Sequence, residues 1–300
     1  MKAIDTNFCS HASHEAAEPL AGTAPHARAW IVLEHPGPWG RDAIGDSGLA
    51  PDLVSHLTQA LEKSGVRTVL ARHESRRRVG PAHPRNVWVA TCSESGSRGI
   101  YGEVTELREL CEWDLNAIAD GHLPAFGRAI ESLWQFVCTH SKRDKCCATL
   151  GRRYSSQLRG DAQVWECSHL GGHRFAPTSL FLPSGRLYGR LDQCAAYPVQ
   201  SEPSAAALRG ACYLQPVAQV ADQAVREILD LPWSTATYVH PADTGADEGD
   251  EDCVMTVDVP TRGSWTVHCS SSTVSTPASC GAESQPRTVW RAHRVDQVRE

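Results

Sequence analysis

Apolar positions along the chain fall into short strand-length runs separated by glycine- and proline-rich turns, with stretches of helical spacing between them. Trp30 to Leu33 is a short apolar run closed by the turn-like His35-Pro36-Gly37-Pro38. Pro51 suits a first helical turn, Leu53, Val54, Leu57 and Leu61 recur at helical spacing, and Gly65 stands where a C-terminal cap would be. Val66 to Ala71 and Val87 to Ala90 read as strands, with the basic loop Arg76-Arg77-Arg78 between them, and a second helix is predicted near Leu107, Leu110 and Leu115. Asp120-Gly121-His122-Leu123-Pro124 then marks a boundary.

The next stretch opens with an apolar strand, Leu133 to Val137, ending in Cys138. Leu150, Tyr154 and Leu158, four apart, predict a helix ended by Gly160-Asp161; Gln163 to Cys167 predicts a strand and Ser168 to Arg174 a loop. Ser179 to Leu182 and Leu187 to Leu191 flank the turn Ser184-Gly185 as a hairpin. Pro216 opens a helix with Val217, Val220, Ala224, Val225 and Ile228 on one side. This β-α-β-β-α order is that of the second part of a thioredoxin-like fold. After Trp233 the character changes. Asp243 to Asp252 is an acidic, solvated run, Val254 to Val259 and Trp265 to Cys269 read as strands, Ser270 to Ser272 and Pro277 as loop, and a last strand lies near Val289. The fold expected is α/β: a small α/β region over 1–128, a thioredoxin-like domain over 129–232 and a β-rich C-terminal extension over 233–300. No internal repeat is visible in the sequence.

Composition narrows the function classes. A net charge of -6 over 300 residues disfavours wholesale nucleic-acid binding. No apolar stretch reaches the length that spans a bilayer, and Met1 to Ser13 lacks the apolar run of a secretory signal, so the expected location is cytoplasmic, away from membranes. Twelve cysteines are many for a compartment that keeps thiols reduced, which turns attention to metal ligation or redox chemistry. Cys9, Cys92, Cys111, Cys167, Cys194, Cys212, Cys253, Cys269 and Cys280 have no partner at a recognisable ligand spacing and are expected to be plain structural thiols.

Four side chains differ from these in type and place. Cys138 ends a buried strand, Cys147 lies nine residues on at the start of a helix, and His169 and His173 flank a Gly-Gly loop after another strand. Two thiolates and two imidazoles suit zinc or an iron-sulfur cluster. The wide Cys-x8-Cys loop argues against a zinc knuckle, which uses a tight Cys-x2-4-Cys turn, and suits a two-iron cluster whose ligands reach around one iron. Gly171-Gly172 keeps the histidines off a regular helical face and lets backbone N–H groups approach a bound group closely. Lys142, Arg143, Lys145, Arg152, Arg153 and Arg174 surround the site in sequence, either as an exposed helix face or as a docking surface for an acidic electron donor. Trp39 and Trp165 read as core, and His140 as a hydrogen-bonding residue rather than a fifth ligand.

Two blocks carry a resemblance. Val137-Cys138-Thr139-His140-Ser141-Lys142-Arg143-Asp144-Lys145-Cys146-Cys147 and Trp165-Glu166-Cys167-Ser168-His169-Leu170-Gly171-Gly172-His173-Arg174-Phe175-Ala176 resemble the two signatures of the sucrase/ferredoxin-like proteins. Tyr188-Gly189-Arg190-Leu191-Asp192, Glu18-Pro19-Leu20-Ala21-Gly22-Thr23-Ala24 and Leu33 to Gly40 extend the likeness, and Ser279-Cys280-Gly281 matches more weakly. The resemblance implies a thioredoxin-like ferredoxin domain with one [2Fe-2S] cluster held by Cys138, Cys147, His169 and His173. The family's Arg-Asp-x-x-Cys spacing selects Cys147 over the adjacent Cys146, which would then point elsewhere.

The leading expectation is thus a one-electron carrier or redox sensor with an unknown redox partner protein and no bond chemistry of its own. The alternative is a structural zinc-binding module in which the same four residues tie down an interaction domain. A thiol enzyme built on Cys146-Cys147 or Cys138 is a third reading, weakened by the absence of a Cys-x-x-Cys motif.

Overall fold

The computed structural model describes residues 8–73, 83–191, 203–232, 234–242 and 252–298. Arg76 to Arg78, Asp192, Cys194, Trp233 and the acidic run as far as residue 251 lie outside the described residues. The fold is mixed α/β, with a ten-stranded sheet and a separate four-stranded antiparallel sheet at the C-terminal end.

A short helix, α1 (Cys9–Glu15), precedes the first half of the large sheet. That half contains β1 (Ala29–Glu34), α2 (Pro51–Ser64), β2 (Val66–Arg72), β3 (Arg85–Thr91) and β4 (Arg98–Val104). β1 pairs parallel with β2 across the α2 crossover and antiparallel with β3, and β3 pairs antiparallel with β4. Helix α2 forms where the spacing predicts it and ends at Gly65. It buries Leu53, Leu57, Ala60 and Ser64; Leu61 falls off that stripe and faces solvent.

The helix predicted near Leu107 is broken. Leu107–Glu112 forms a 3-10 turn, and α3 (Leu115–Ala119) restarts after it. The cause is Asp114, whose carboxylate accepts the N–H groups of Asn116 at 2.9 Å and Ala117 at 3.1 Å and so caps a new helix. A two-residue strand, β5 (Arg128–Ala129), then closes the edge beside β4.

The second half repeats the first in topology. It comprises β6 (Trp134–Cys138), α4 (Arg152–Gln157), β7 (Val164–Cys167), β8 (Ser179–Leu182) and β9 (Arg186–Tyr188), with β10 (Leu208–Ala211) at the edge and α5 (Pro216–Leu229) after it. β6 is parallel to β7 and antiparallel to β8, and β8 is antiparallel to β9. The spatial orders are therefore β2-β1-β3-β4 in one half and β7-β6-β8-β9 in the other. The equivalent strands β2 and β7 join the halves antiparallel, as a two-fold rotation between them would require. The duplication is one of connectivity, without a matching repeat of residues.

The join is short. Ala71 opposes Cys167 and Arg72 opposes Glu166, whose side chains form an ion pair at 2.9 Å. Ser168 extends it with two bonds: its N–H donates to the Leu70 carbonyl at 2.7 Å, and its hydroxyl accepts the Leu70 N–H at 3.0 Å. Aromatic packing adds to the join. Trp88 on β3 meets Phe136 on β6 with centroids 5.2 Å apart and Trp165 on β7 at 4.6 Å. In a flat sheet β3 and β6, four strand spacings apart, would stand roughly 19 Å from each other. The sheet therefore curls around the Trp88 ring, which is fully buried.

β11 (Tyr238–Pro241), β12 (Asp252–Val259), β13 (Gly263–Pro277) and β14 (Ser284–Gln297) form the C-terminal sheet as a meander. Met255, Val257, Val259 and Val267 pack on Ala218, Ala221 and Val225 of α5 in one core. Ser270 to Ser272, expected in a loop, lie inside β13 and pair with Arg291 to Val289 of β14. Small hydroxyl residues suit an exposed strand when a long partner satisfies their backbone, and the β-branched Thr273, Val274 and Thr276 continue it.

Ser168→Ala is expected to destabilise the chain by about 1–3 kcal/mol, because it leaves the buried Leu70 N–H without an acceptor where the two halves meet. Urea unfolding of the full chain measures it; an unchanged midpoint would mean that the hydroxyl adds nothing to the join.

Candidate metal centre

The C-terminal end of β6 delivers Cys138 to a crowded junction. A wide π turn over Cys147–Gly151 runs directly into α4 and packs against it. Gly151 makes that approach possible, since a Cβ there would overlap the Cys138 carbonyl. Cys147, one turn earlier, thereby reaches Cys138. From the other side, Ser168 anchors the end of β7, and the next residue is His169. Gly172 has φ +68°, and a Cβ on it would collide with the Arg209 guanidinium. Arg209 on β10 donates to the Gly171 carbonyl at 2.9 Å and to the Thr23 hydroxyl at 3.1 Å. The Gly-Gly turn is thus clamped by a buried cation, and His173 opens a 3-10 turn just beyond it.

One ligand atom each from Cys138, Cys147 and His169 lies within 4.8 Å of the others. His173 stands beside them, its ring 5.0 Å from that of His169. Both thiols are buried, His173 nearly so, and His169 is half-buried. Nδ1 of His169 and both ring nitrogens of His173 are buried with no hydrogen-bond partner among the described residues. Unpaired buried nitrogens cost free energy unless something else satisfies them, and metal coordination does so. Two thiols and two imidazoles are a donor set that fits a metal centre.

The electrostatics favour thiolate at one position. The Cys147 thiol donates to Cys138, which holds the Cys138 pKa well below its ordinary value; His169 acts in the same direction against burial. Cys147 is pushed up by the same hydrogen bond and by burial. Burial lowers His173 below the usual imidazole value, so it is neutral, the form that binds metal. Burial also brings Arg209 down to about 9. Its guanidinium lies over the Phe175 ring at 5.4 Å, with Arg174 at 4.4 Å and Arg190 at 5.6 Å. Arg174 is not part of an exposed basic face: its Nε donates to the fully buried Glu18 carboxylate at 2.7 Å. Lys142, Arg143, Lys145, Arg152 and Arg153 are exposed.

His140 donates through Nε2 to the Gly40 carbonyl at 2.7 Å and packs edge-on against Trp39, which is buried like Trp165. Beside it, Arg41, Asp42, Asp46, Arg143 and His169 line an open cavity of about 550 Å³. The His169 edge is therefore the side of the group that borders this cavity.

A second group lies one residue away. Cys146 and Cys147 point in different directions, and Cys146 meets Cys9 at 3.5 Å and Cys280 at 3.3 Å between sulfurs. Asp144 completes the group, all four ligand atoms lying within 4.8 Å of one another. The hydrogen bond from Cys9 lowers Cys146 to about 7. Cys9 and Cys280, expected to be plain thiols, are thus partners of Cys146. Their separations of 137 and 134 residues from it carry no recognisable spacing.

Residues 20–204 match the family model described as sucrase/ferredoxin-like, a span that includes Cys138, Cys147, His169 and His173. The chain belongs to the sucrase/ferredoxin-like family. No curated protein and no solved structure gives a significant match. The sucrase/ferredoxin-like segment contains Asp144 and Cys146 but neither Cys9 nor Cys280. Among the described residues no helix is long and apolar enough to cross a membrane.

Because only Cys147 faces Cys138, Cys147→Ser is expected to lose metal bound at the Cys138 group while Cys146→Ser keeps it. Visible absorption of the two anaerobically purified variants checks this. The opposite outcome would make Cys146 the partner of Cys138.

Proposed function

We propose that this sucrase/ferredoxin-like protein binds one [2Fe-2S] cluster through Cys138, Cys147, His169 and His173 and serves as a one-electron carrier or redox sensor. The observation that carries the reading is the convergence of two buried thiols on two imidazoles, with His169 Nδ1 and both ring nitrogens of His173 buried and without a hydrogen-bond partner among the described residues. When bound, such a cluster supplies a reversible one-electron couple. The chain's own residues set its surroundings. Cys138 is held towards thiolate, and His173 is kept neutral by burial. Arg209, Arg174 and Arg190 outnumber Glu18 around Phe175 and offset the negative charge of two thiolates and an added electron. The walls of β6, β7 and α4 exclude water from the thiols and leave the His169 edge open to the cavity.

Iron and acid-labile sulfide in equal amounts, with an electron paramagnetic resonance signal after dithionite reduction, are the expected result on anaerobically purified protein. Zinc alone at the Cys138 group after iron and sulfide reconstitution would replace this reading with that of a structural zinc module.

The partner we propose is an acidic redox protein. Arg41 and Arg143 line the cavity beside His169, together with Asp42 and Asp46, and the exposed Lys142, Lys145, Arg152 and Arg153 lie near Arg143 along the chain. Electrostatic docking there makes electron transfer salt-sensitive. With an acidic ferredoxin reductase or flavodoxin as donor, the reduction rate followed by stopped flow is expected to fall as salt rises, and Arg143→Glu to slow it further at low salt. A rate indifferent to both would remove the basic rim as the docking surface.

A further inference from the structure

The group formed by Cys9, Cys146, Cys280 and Asp144 is built from three segments far apart in the chain. Cys9 begins α1, Asp144 and Cys146 lie in the loop between β6 and α4, and Cys280 lies in the connection between β13 and β14. Cys9 and Cys146 are fully buried, Asp144 is 6 % exposed, and Cys280 is half-buried. The three sulfurs form a closed triangle with sides of 3.5 Å (Cys9–Cys146), 3.3 Å (Cys146–Cys280) and 3.7 Å (Cys280–Cys9). Asp144 Oδ1 caps the triangle at 3.2 Å from the Cys280 sulfur and 3.8 Å from the Cys9 sulfur.

We propose that these four side chains form a second metal site, a mononuclear tetrahedral zinc site with three thiolates and one carboxylate oxygen. The dimensions fit. Zinc–sulfur bonds of about 2.3 Å at tetrahedral angles put sulfurs about 3.8 Å apart, and a zinc–oxygen bond of about 2.0 Å puts oxygen about 3.5 Å from each sulfur. The observed sulfur edges of 3.5, 3.3 and 3.7 Å are all somewhat short of this and would open by up to about half an ångström, while the oxygen edges of 3.2 and 3.8 Å fall on either side of theirs. A disulfide does not account for the group, because the shortest sulfur separation, 3.3 Å, is far beyond a covalent bond of about 2.05 Å, and three thiols would leave one over.

The surroundings prepare the site as well. Asp144 Oδ1 accepts the Cys146 N–H at 2.7 Å and Oδ2 accepts the Cys280 N–H at 2.9 Å, so the carboxylate is oriented by the backbone of two of its co-ligands. The Ser10 hydroxyl lies 3.3 Å from the Cys146 sulfur. Such second contacts fix ligand orientation in metal sites. Binding converts the three thiols to thiolates and releases their protons to solvent, with no change of oxidation state. The consequence is mechanical: zinc here ties the N-terminal helix and the C-terminal sheet to the loop that carries Cys147. The proposal does not rest on the cluster reading, since the two groups share no side chain.

Zinc content of the anaerobically purified full chain, with X-ray absorption at the zinc edge, tests it. One zinc per chain with three sulfur neighbours and one oxygen is the expected result. Cys9→Ala and Cys280→Ala are each expected to cut retained zinc at least about tenfold and to leave whatever metal the Cys138 group holds unchanged. Chains without zinc would overturn the proposal, as would zinc with two sulfur and two nitrogen neighbours, which is the Cys138, Cys147, His169 and His173 set. Should either variant fail to fold, the zinc-edge spectrum of the unaltered chain decides by itself. Full zinc retention in both folded variants would also sink it.

Discussion

The carboxylate of Asp144 organises this part of the molecule. A buried charge is tolerable only when hydrogen bonds or opposite charge surround it. Burial pushes the Asp144 pKa up, but the N–H groups of Cys280 and Cys146 outweigh that and hold it below the ordinary carboxylate value. Its Oδ2 also stands 3.7 Å from Nε2 of His173. One ionised group therefore fixes the β13–β14 connection, the loop after β6 and the turn after β7 relative to one another. The sharp divergence of Cys146 from Cys147 follows, because Asp144 Oδ1 holds the Cys146 N–H at 2.7 Å.

The wider frame that permits this is the curled sheet. Two β-α-β-β units of the same connectivity meet through β2 and β7, and the Trp88 ring fills the concave side across both. A short ladder would join them weakly by itself. Aromatic burial and edge-to-face packing supply the rest. The same join sets the position of His169, since Ser168 is bonded to β2 in the other half. The first half thus contributes to the centre from outside: it anchors one histidine and lines the cavity that exposes it.

Charge is distributed with a similar economy. The interior places three arginines around one aromatic ring near two thiols, with Glu18 held between Arg174 and the Thr276 hydroxyl. Thr276 belongs to β13, so the C-terminal sheet closes over this buried network as well as over α5. The exposed lysines and arginines form a separate, solvated set whose interactions are screened by salt.

Much of the fold was legible locally. Strand runs such as Trp30 to Leu33 and Leu133 to Val137, and the helices opened by Pro51 and Pro216, follow from apolar periodicity and terminal residues, which act over a few positions. The Cys138, Cys147, His169 and His173 pattern was legible for the same reason: its members stand in two short blocks at element ends. Asp114 broke a helix that spacing had favoured, through an equally local cap that periodicity by itself does not weigh. Tertiary structure alone decided two things. Ser270 to Ser272 became strand because β14 pairs with them, a contact made by residues further along the chain. The assembly of Cys9, Cys146 and Cys280 also came from the fold. Three strand and helix ends separated by more than a hundred residues were brought within hydrogen-bonding distance of one carboxylate, and no local spacing rule encodes such a meeting.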